Sequence, residues 1–290
     1  MLGVLCLGLL ACCFDPTGEA QNEWDQFERV EDLGAGSDEE QIETISSLLQ
    51  RHRQLQAASD GLATLVLNHT ENVDVRLEAL KALVEMDSTL ANRHQEIAAI
   101  ARDVDEFDAL RIGALWALAM TVVSTQPEEV SSVCTDVIRN KRNAVPVRIA
   151  ATAYLAGNPA TAGSAFRMLA PIIKTQSEPL DLRIAAVVSL PSVAWYSPDR
   201  SRRVTSVLAR IAKRRAEPAD LREEALRGVA TMADLEMLRG SDLKRFRRAA
   251  CPWLWQLRDD MTETEEIRET ADGLIEFLEA IHSPAMQNDN

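Results

Sequence analysis

The sequence predicts an all-α fold, a right-handed α-α superhelix built as a solenoid of stacked helical hairpins. Three observations predict it. A helical signature recurs five times at nearly constant spacing, start signals mark a partner helix before most copies, and the apolar residues are small and aliphatic. The signature reads apolar, Arg, two free positions, Ala, then an aliphatic residue four further on. Its copies centre on Arg76, Arg111, Arg148, Arg183 and Arg222, separated by 35, 37, 35 and 39 residues. The Ala is Ala79, Ala114, Ala151, Ala186 and Ala225, and the aliphatic residue is Leu83, Leu118, Leu155, Leu190 and Val229. A single hairpin of this length cannot bury its own apolar face, so neighbours must stack to make a core. Apolar residues make up 46% of the chain but aromatic residues only 4%, so Ala, Leu, Val and Ile form that core.

The elements follow in chain order. Residues 1–14, MLGVLCLGLLACCF, carry no charge. The run is too short to span a bilayer and suits the apolar part of an export signal. Residues 12–37 are rich in Asp and Glu, with Gly18, Gly34 and Gly36, and read as an acidic flexible tether. Ser37 and Glu40 make a capping box that opens the first helix. A second helix is expected around Ala58 to Leu67, in a terminal pair that lacks the Arg signature.

The solenoid is expected over residues 38–282, with a disordered tail at 283–290. Partner helices start at Asp87-Ser88, Pro127, Asn158-Pro159 and Ser197-Pro198, with Pro at a first helical position where its missing N–H costs nothing. Pro146, Pro179 and Pro218 stand at the starts of three signature helices. The last pair runs from Ser241 to Asp260 and, after a capping box at Thr262 and Glu265, to Ile281.

The residue before Arg, the Ala at +3 and the aliphatic at +7 share one helical face, which packs on the partner helix. The Arg needs a separate reason, because a cation near a helix N-terminus opposes the macrodipole. Asp74, Asp181 and Asp220 lie two residues before their Arg, and Asp108 lies three before. Each Asp is expected to cap its helix and to meet the Arg of a neighbouring repeat, giving an Asp–Arg ladder along the stack. The third copy has Pro146 in place of the Asp, so the ladder should be weakest there.

The motif Asp-x-Arg-x-x-Ala-x-x-x-Leu resembles HEAT and HEAT-like repeat proteins, including the group named after phycobilin lyases. The resemblance covers about Gln41 to Ile281 and implies a scaffold or adaptor. Leu9-Leu10-Ala11-Cys12 resembles a bacterial lipobox, although no Lys or Arg precedes the apolar run. That resemblance implies a signal at 1–11, lipid on Cys12, and a place in the cell envelope on the periplasmic side.

The formal charge of −14 argues against general affinity for nucleic acid or an anionic bilayer. Against that background, residues 199–248 hold 14 Lys or Arg and 8 Asp or Glu. Arg202, Arg203, Arg214, Arg215, Arg245, Arg247, Arg248 and Trp255 form a candidate binding patch, with pairing to the tether or C-terminal helix as the plainer account. Trp116, Trp195 and Trp253 are expected in the core, and Trp255 is expected there too unless it serves the patch.

His52, His69, His94 and His282 have no metal-ligand spacing and read as surface residues. Cys13, Cys134 and Cys251 would remain after processing, with Cys134 a buried free thiol. No nucleophile elbow, phosphate-binding glycine loop or metalloprotease helix occurs. No cofactor, metal or catalytic residue is therefore assigned. The expected protein is a non-catalytic, lipid-anchored envelope scaffold with a protein partner. One alternative is a cytoplasmic polyanion-binding solenoid using residues 200–248. Another, implied by the resemblance, is a lyase acting on a tetrapyrrole.

Overall fold

The computed structural model describes residues 57–85, 93–121, 127–238 and 243–280, and within the helices the side chains of 121, 235–238 and 243–245 lie outside the described set. The signal, Cys12, the tether, the first capping box, the Asp87-Ser88 start, His52, His282 and the tail therefore lie outside the described residues.

A helical segment at 57–67 comes first. Eleven α-helices follow among the described residues: α1 Val73–Glu85, α2 His94–Arg102, α3 Asp108–Thr121, α4 Pro127–Arg139, α5 Val145–Gly157 and α6 Ala162–Lys174. Then come α7 Leu180–Tyr196, α8 Ser201–Lys213, α9 Ala219–Leu238, α10 Leu243–Asp259 and α11 Glu265–Ala280. No strand occurs among the described residues. The chain is an all-α solenoid.

The helices pair as six hairpins, each a partner helix followed by a signature helix. Signature helices α1, α3, α5, α7, α9 and α11 pack closely on one another down the stack. Partner helices α2, α4, α6, α8 and α10 touch one another sparsely. Two layers with unequal spacing must curve toward the tighter one, so the signature helices line the inner face.

The core is continuous through the stack. The signature Ala residues, from Ala79 to Ala225, are almost wholly buried, as are Leu83, Leu118, Leu155, Leu190 and Val229. A larger side chain at one of those Ala positions would cost about 1–3 kcal/mol by overpacking. Cys134 is 1% exposed, and burial pushes its thiol up to about 12, so it stays protonated and inert. Cys251 is also a buried free thiol.

Three expected helix starts move. Asn158 and Pro159 form a turn in which Asn158 Oδ1 accepts the Ala160 N–H at 2.9 Å, and α6 begins at Ala162. Pro198 opens a short 3-10 turn, Pro198–Arg200, before α8. At the last helix the cap is Thr264, whose hydroxyl accepts the Ile267 N–H at 3.3 Å, while the Thr262 side chain belongs to the preceding turn.

Trp195 departs from the expected core. It is 50% exposed, because it continues the outward stripe of Ala185, Val188 and Ser192 along α7, while its neighbours Val193 and Ala194 are buried. Trp116 is half-buried and Trp253 is buried, but Trp255 is 40% exposed. Of the His residues, His69 is a surface residue, its side chain 70% exposed. His94 is not, with a side chain 13% exposed and Nε2 3.0 Å from Glu129.

Candidate functional site

All six hairpin connections have five residues: 68–72, 103–107, 140–144, 175–179, 214–218 and 260–264. Constant length has a local cause. In four of them the first residue is Asn or Asp, and its side chain accepts the N–H of the third at 3.0–3.1 Å (Asn68, Asp103, Asn140, Asp260). Such a turn needs no tertiary support. In five of them the fourth residue's N–H closes on the first residue's carbonyl at 2.9–3.1 Å. The fourth residue is Glu71, Glu106, Asn143, Glu178, Glu217 or Glu263, and from Glu106 onward its side chain meets the preceding hairpin.

Each signature Arg is buried and fulfils two demands at once. Within its own hairpin it donates to the carbonyl ten residues earlier, at the end of the antiparallel partner helix. The acceptors are Val66 (2.8 Å), Ala101 (3.3 Å), Ile138 (2.8 Å), Ile173 (3.0 Å) and Ala212 (3.0 Å). Those carbonyls are orphans of a helix C-terminus, where a cation is favoured. The macrodipole problem posed by the sequence is thus solved by the neighbouring helix, which runs the opposite way.

Across the hairpin boundary the same guanidinium reaches the fourth residue of the next connection. Arg76 grips Glu106 with two bonds, of 3.0 and 2.6 Å, and Arg222 grips Glu263 at 2.6 and 2.8 Å. Arg148 reaches Glu178 at 2.7 Å, and Arg183 reaches Glu217. Arg111 meets Asn143 Oδ1 at 2.7 Å. These five rungs join six hairpins.

The ladder is real but its acceptors are not the expected Asp residues. Asp74, Asp108, Asp181 and Asp220 are exposed in the first turns of their helices. There they face the positive end of the macrodipole. Only Asp108 comes near its Arg, with Arg111 Nη1 at 3.7 Å from Oδ1. At α1 the Asp does not cap, since Asn72 Oδ1 accepts the Asp74 N–H at 2.8 Å. The acceptor instead is the residue five before the next hairpin's Arg, as at Glu106/Arg111, Asn143/Arg148, Glu178/Arg183, Glu217/Arg222 and Glu263/Arg268, and Glu71/Arg76 shares the spacing. That repetition was the available signal.

Electrostatics separate the rungs. Burial pushes the Glu106 carboxyl up, but hydrogen bonds from Arg76 and the Phe107 N–H, with the charge of Arg76, outweigh it and hold the group below its ordinary value. Hydrogen bonding from Arg222 holds Glu263 low against burial, aided by the charges of Arg222 and Arg215. At the neutral rung, burial lowers the Arg111 guanidinium, opposed only by the charges of Asp108, Asp103 and Glu106. Its Nε is buried without a hydrogen-bond partner. The junction into the third copy thus carries the one neutral rung, through Asn143 and not through Pro146.

The basic patch divides. Arg214 lies 3.2 Å from Glu217, and Arg215 pairs with Asp260 and lies 3.5 Å from Glu263, so these two flank rungs. Arg202 and Arg203 are exposed on α8, and Arg248 and Trp255 are exposed on α10. Arg247 is half-buried and bonds to Cys251. Arg245 starts α10, and its side chain is outside the described set.

The inner face has its own pattern. Its outward positions are charged at α1 (Glu78, Lys81, Glu85) and at α9 (Glu224, Arg227, Asp234). Between them, α5 presents Ala150, Ala153 and Gly157, and α7 presents Ala185, Val188 and Ser192. Met120 of α3 and Trp195 of α7 stand exposed at the rim. No group of His, Cys, Asp and Glu able to hold a metal occurs among the described residues, and no described helix is long and apolar enough to cross a membrane.

The fold and its rungs define an α-helical repeat protein. No family model matches the sequence, and no curated protein matches it. Among solved structures it is similar to a designed armadillo repeat protein, at 15% identity over 75% of this chain and 98% of that one, TM-score 0.43. A second designed armadillo repeat protein, solved in complex with the peptide (KR)4, gives 15% identity, the same coverages and a TM-score of 0.45. An engineered protein gives 13% identity over 77% of this chain and 96% of that one, TM-score 0.45.

Proposed function

We propose that the protein is a non-catalytic scaffold, lipid-anchored through Cys12 on the periplasmic side of the cell envelope, that holds a protein partner along its inner face. The observation that carries this reading is the small-residue trough over α5 and α7, rimmed by Met120 and Trp195, with charge beside it on α9 and beyond α3 on α1. Small residues let a partner backbone or helix approach closely, and a rim aromatic supplies a contact of large area. Buried rungs hold the curvature of the trough fixed before the partner arrives, which reduces the ordering cost of binding. The anchor rests on the lipobox-like Leu9-Leu10-Ala11-Cys12.

Two measurements test the two halves. A photo-crosslinker at Ala153 should capture one partner, and Val188→Arg should abolish capture without lowering Tm. Capture from Arg167, on the outer layer, but not from Ala153 would overturn the inner-face reading. The mass of the mature N-terminal peptide from host membranes should show lipid on Cys12 with residues 1–11 removed. A peptide beginning at Met1 would overturn the anchor and favour the cytoplasmic reading.

A further inference from the structure

Charge in the C-terminal half is sorted by layer. Outer helices α6, α8 and α10 carry eleven Lys or Arg and one acidic residue, Asp259. Inner helices α9 and α11 carry eleven Asp or Glu and three Arg. The buried stripe of α8, Val204, Val207, Leu208 and Ile211, leaves Arg202, Arg203, Arg210 and Lys213 together on its outward side. On α10 the spacing of Arg248, Pro252 and Trp255 places all three outward. On α6 the exposed residues are Arg167, Pro171 and Lys174.

These helices form one surface. Arg200 lies over the Phe166 ring, 6.0 Å from its centroid, joining α6 to the start of α8. Lys213 lies over the Trp253 ring at 5.7 Å, joining α8 to α10. Asp259 is held by Arg258 at 2.7 Å.

We propose that the outer face of α6, α8 and α10 docks on an anionic lipid bilayer. The surface is the convex side of the stack, so it offers no groove to track a phosphate chain or grip a peptide. Its cations stand on neighbouring helices of one layer, an arrangement that suits laterally mobile headgroups. Trp255, 40% exposed among cations, has the amphipathic character of an interfacial anchor.

The net charge of −14 does not prevent this. Packed helix axes lie about 8–10 Å apart, and the Debye length is about 8 Å at physiological salt. The bilayer therefore senses the cationic layer more strongly than the acidic one behind it. The proposal deepens the anchored-scaffold reading: it points the inner face away from the membrane, toward a partner.

The test uses the full chain carrying Cys12→Ala, so that lipid attachment cannot mediate binding. Sedimentation with phosphatidylcholine vesicles is compared with and without about one-third phosphatidylglycerol, at about 0.1 M and about 0.5 M salt, between which the Debye length falls about twofold. Binding is expected only with the anionic lipid and only at the lower salt. Each near-surface cation contributes roughly fivefold. Arg202→Glu, Arg203→Glu and Arg210→Glu together should weaken binding about a hundredfold or more. A matched control, Arg139→Glu, Lys141→Glu and Arg142→Glu, makes the same charge change on other exposed cations and should retain most of the binding.

Equal loss in the control would overturn the proposal, as would equal binding to neutral vesicles. Binding to duplex DNA or to a poly-Glu peptide in place of vesicles would overturn it in favour of a polyanion or an acidic protein. Absence of vesicle binding alongside lipid on Cys12 would sink the docking face and leave the anchor standing, whereas the reverse result would separate them the other way.

Discussion

The junctions at Arg222 and Arg111 are built from the same parts and differ in one. Both guanidiniums are buried, and both reach the end of their partner helix and the fourth residue of the next connection. At Arg222 that residue is Glu263, which accepts two bonds. At Arg111 it is Asn143, which accepts one and donates its own amide to the Val137 carbonyl at 2.7 Å. The charged rung is the more costly to break, because removing either partner strands a buried charge. The neutral rung leaves an Nε unsatisfied but strands less when cut.

The largest expected effect follows from that difference. Arg222→Ala or Arg76→Ala leaves a buried carboxylate and should cost about 3–5 kcal/mol, read from urea denaturation. Arg111→Ala leaves two neutral oxygens, those of Asn143 and the Ala101 carbonyl, and no buried carboxylate, and should cost about 1–3 kcal/mol. Equal costs at Arg111 and Arg222 would break the comparison.

Acid sharpens it further. Glu106 and Glu263 have folded pKa values below their ordinary value. Their contribution is fully present above the unfolded value of about 4.3 and is lost as pH falls through the lower folded values. Glu263→Gln should therefore lower stability at neutral pH and flatten the loss below about pH 4.3. Asn143→Asp should change least, within about 1 kcal/mol, because a stronger bond to Arg111 is offset by the lost donor to Val137. A double-mutant cycle with Arg111 should show the coupling rise.

The architecture was legible because periodicity reports burial directly: every signature Ala and every aliphatic residue seven after an Arg fell in the core, while of the apolar residues before the Arg only Val75, in the first copy, is exposed, at 42%. The need for a ladder was legible too, since a cation at a helix start demands compensation. Its acceptor was not. Asp in the first turn of a helix is a good local choice whether or not an Arg is near, so Asp74, Asp181 and Asp220 mimicked a partner. The true acceptors sit in connections, outside the helical pattern, and show only as a constant offset. Trp195 was misplaced for a different reason: its size suggested core, but its position continues the outward stripe of Ala185, Val188 and Ser192. The layer sorting of charge was invisible as a local run. Residues 199–248 span parts of both layers, so their count mixed α8 and α10 with α9.

Each rung takes its donor from one hairpin and its acceptor from the next, so the stack has a direction and each described boundary presents a guanidinium to a loop acceptor, Glu at four and Asn at one. A crossover between any two copies of the repeat would still match a guanidinium to a loop acceptor. The chain can gain or lose whole hairpins by recombination without redesign of a boundary. Its length, and with it the reach of both faces, is a quantity that gene duplication can adjust in steps.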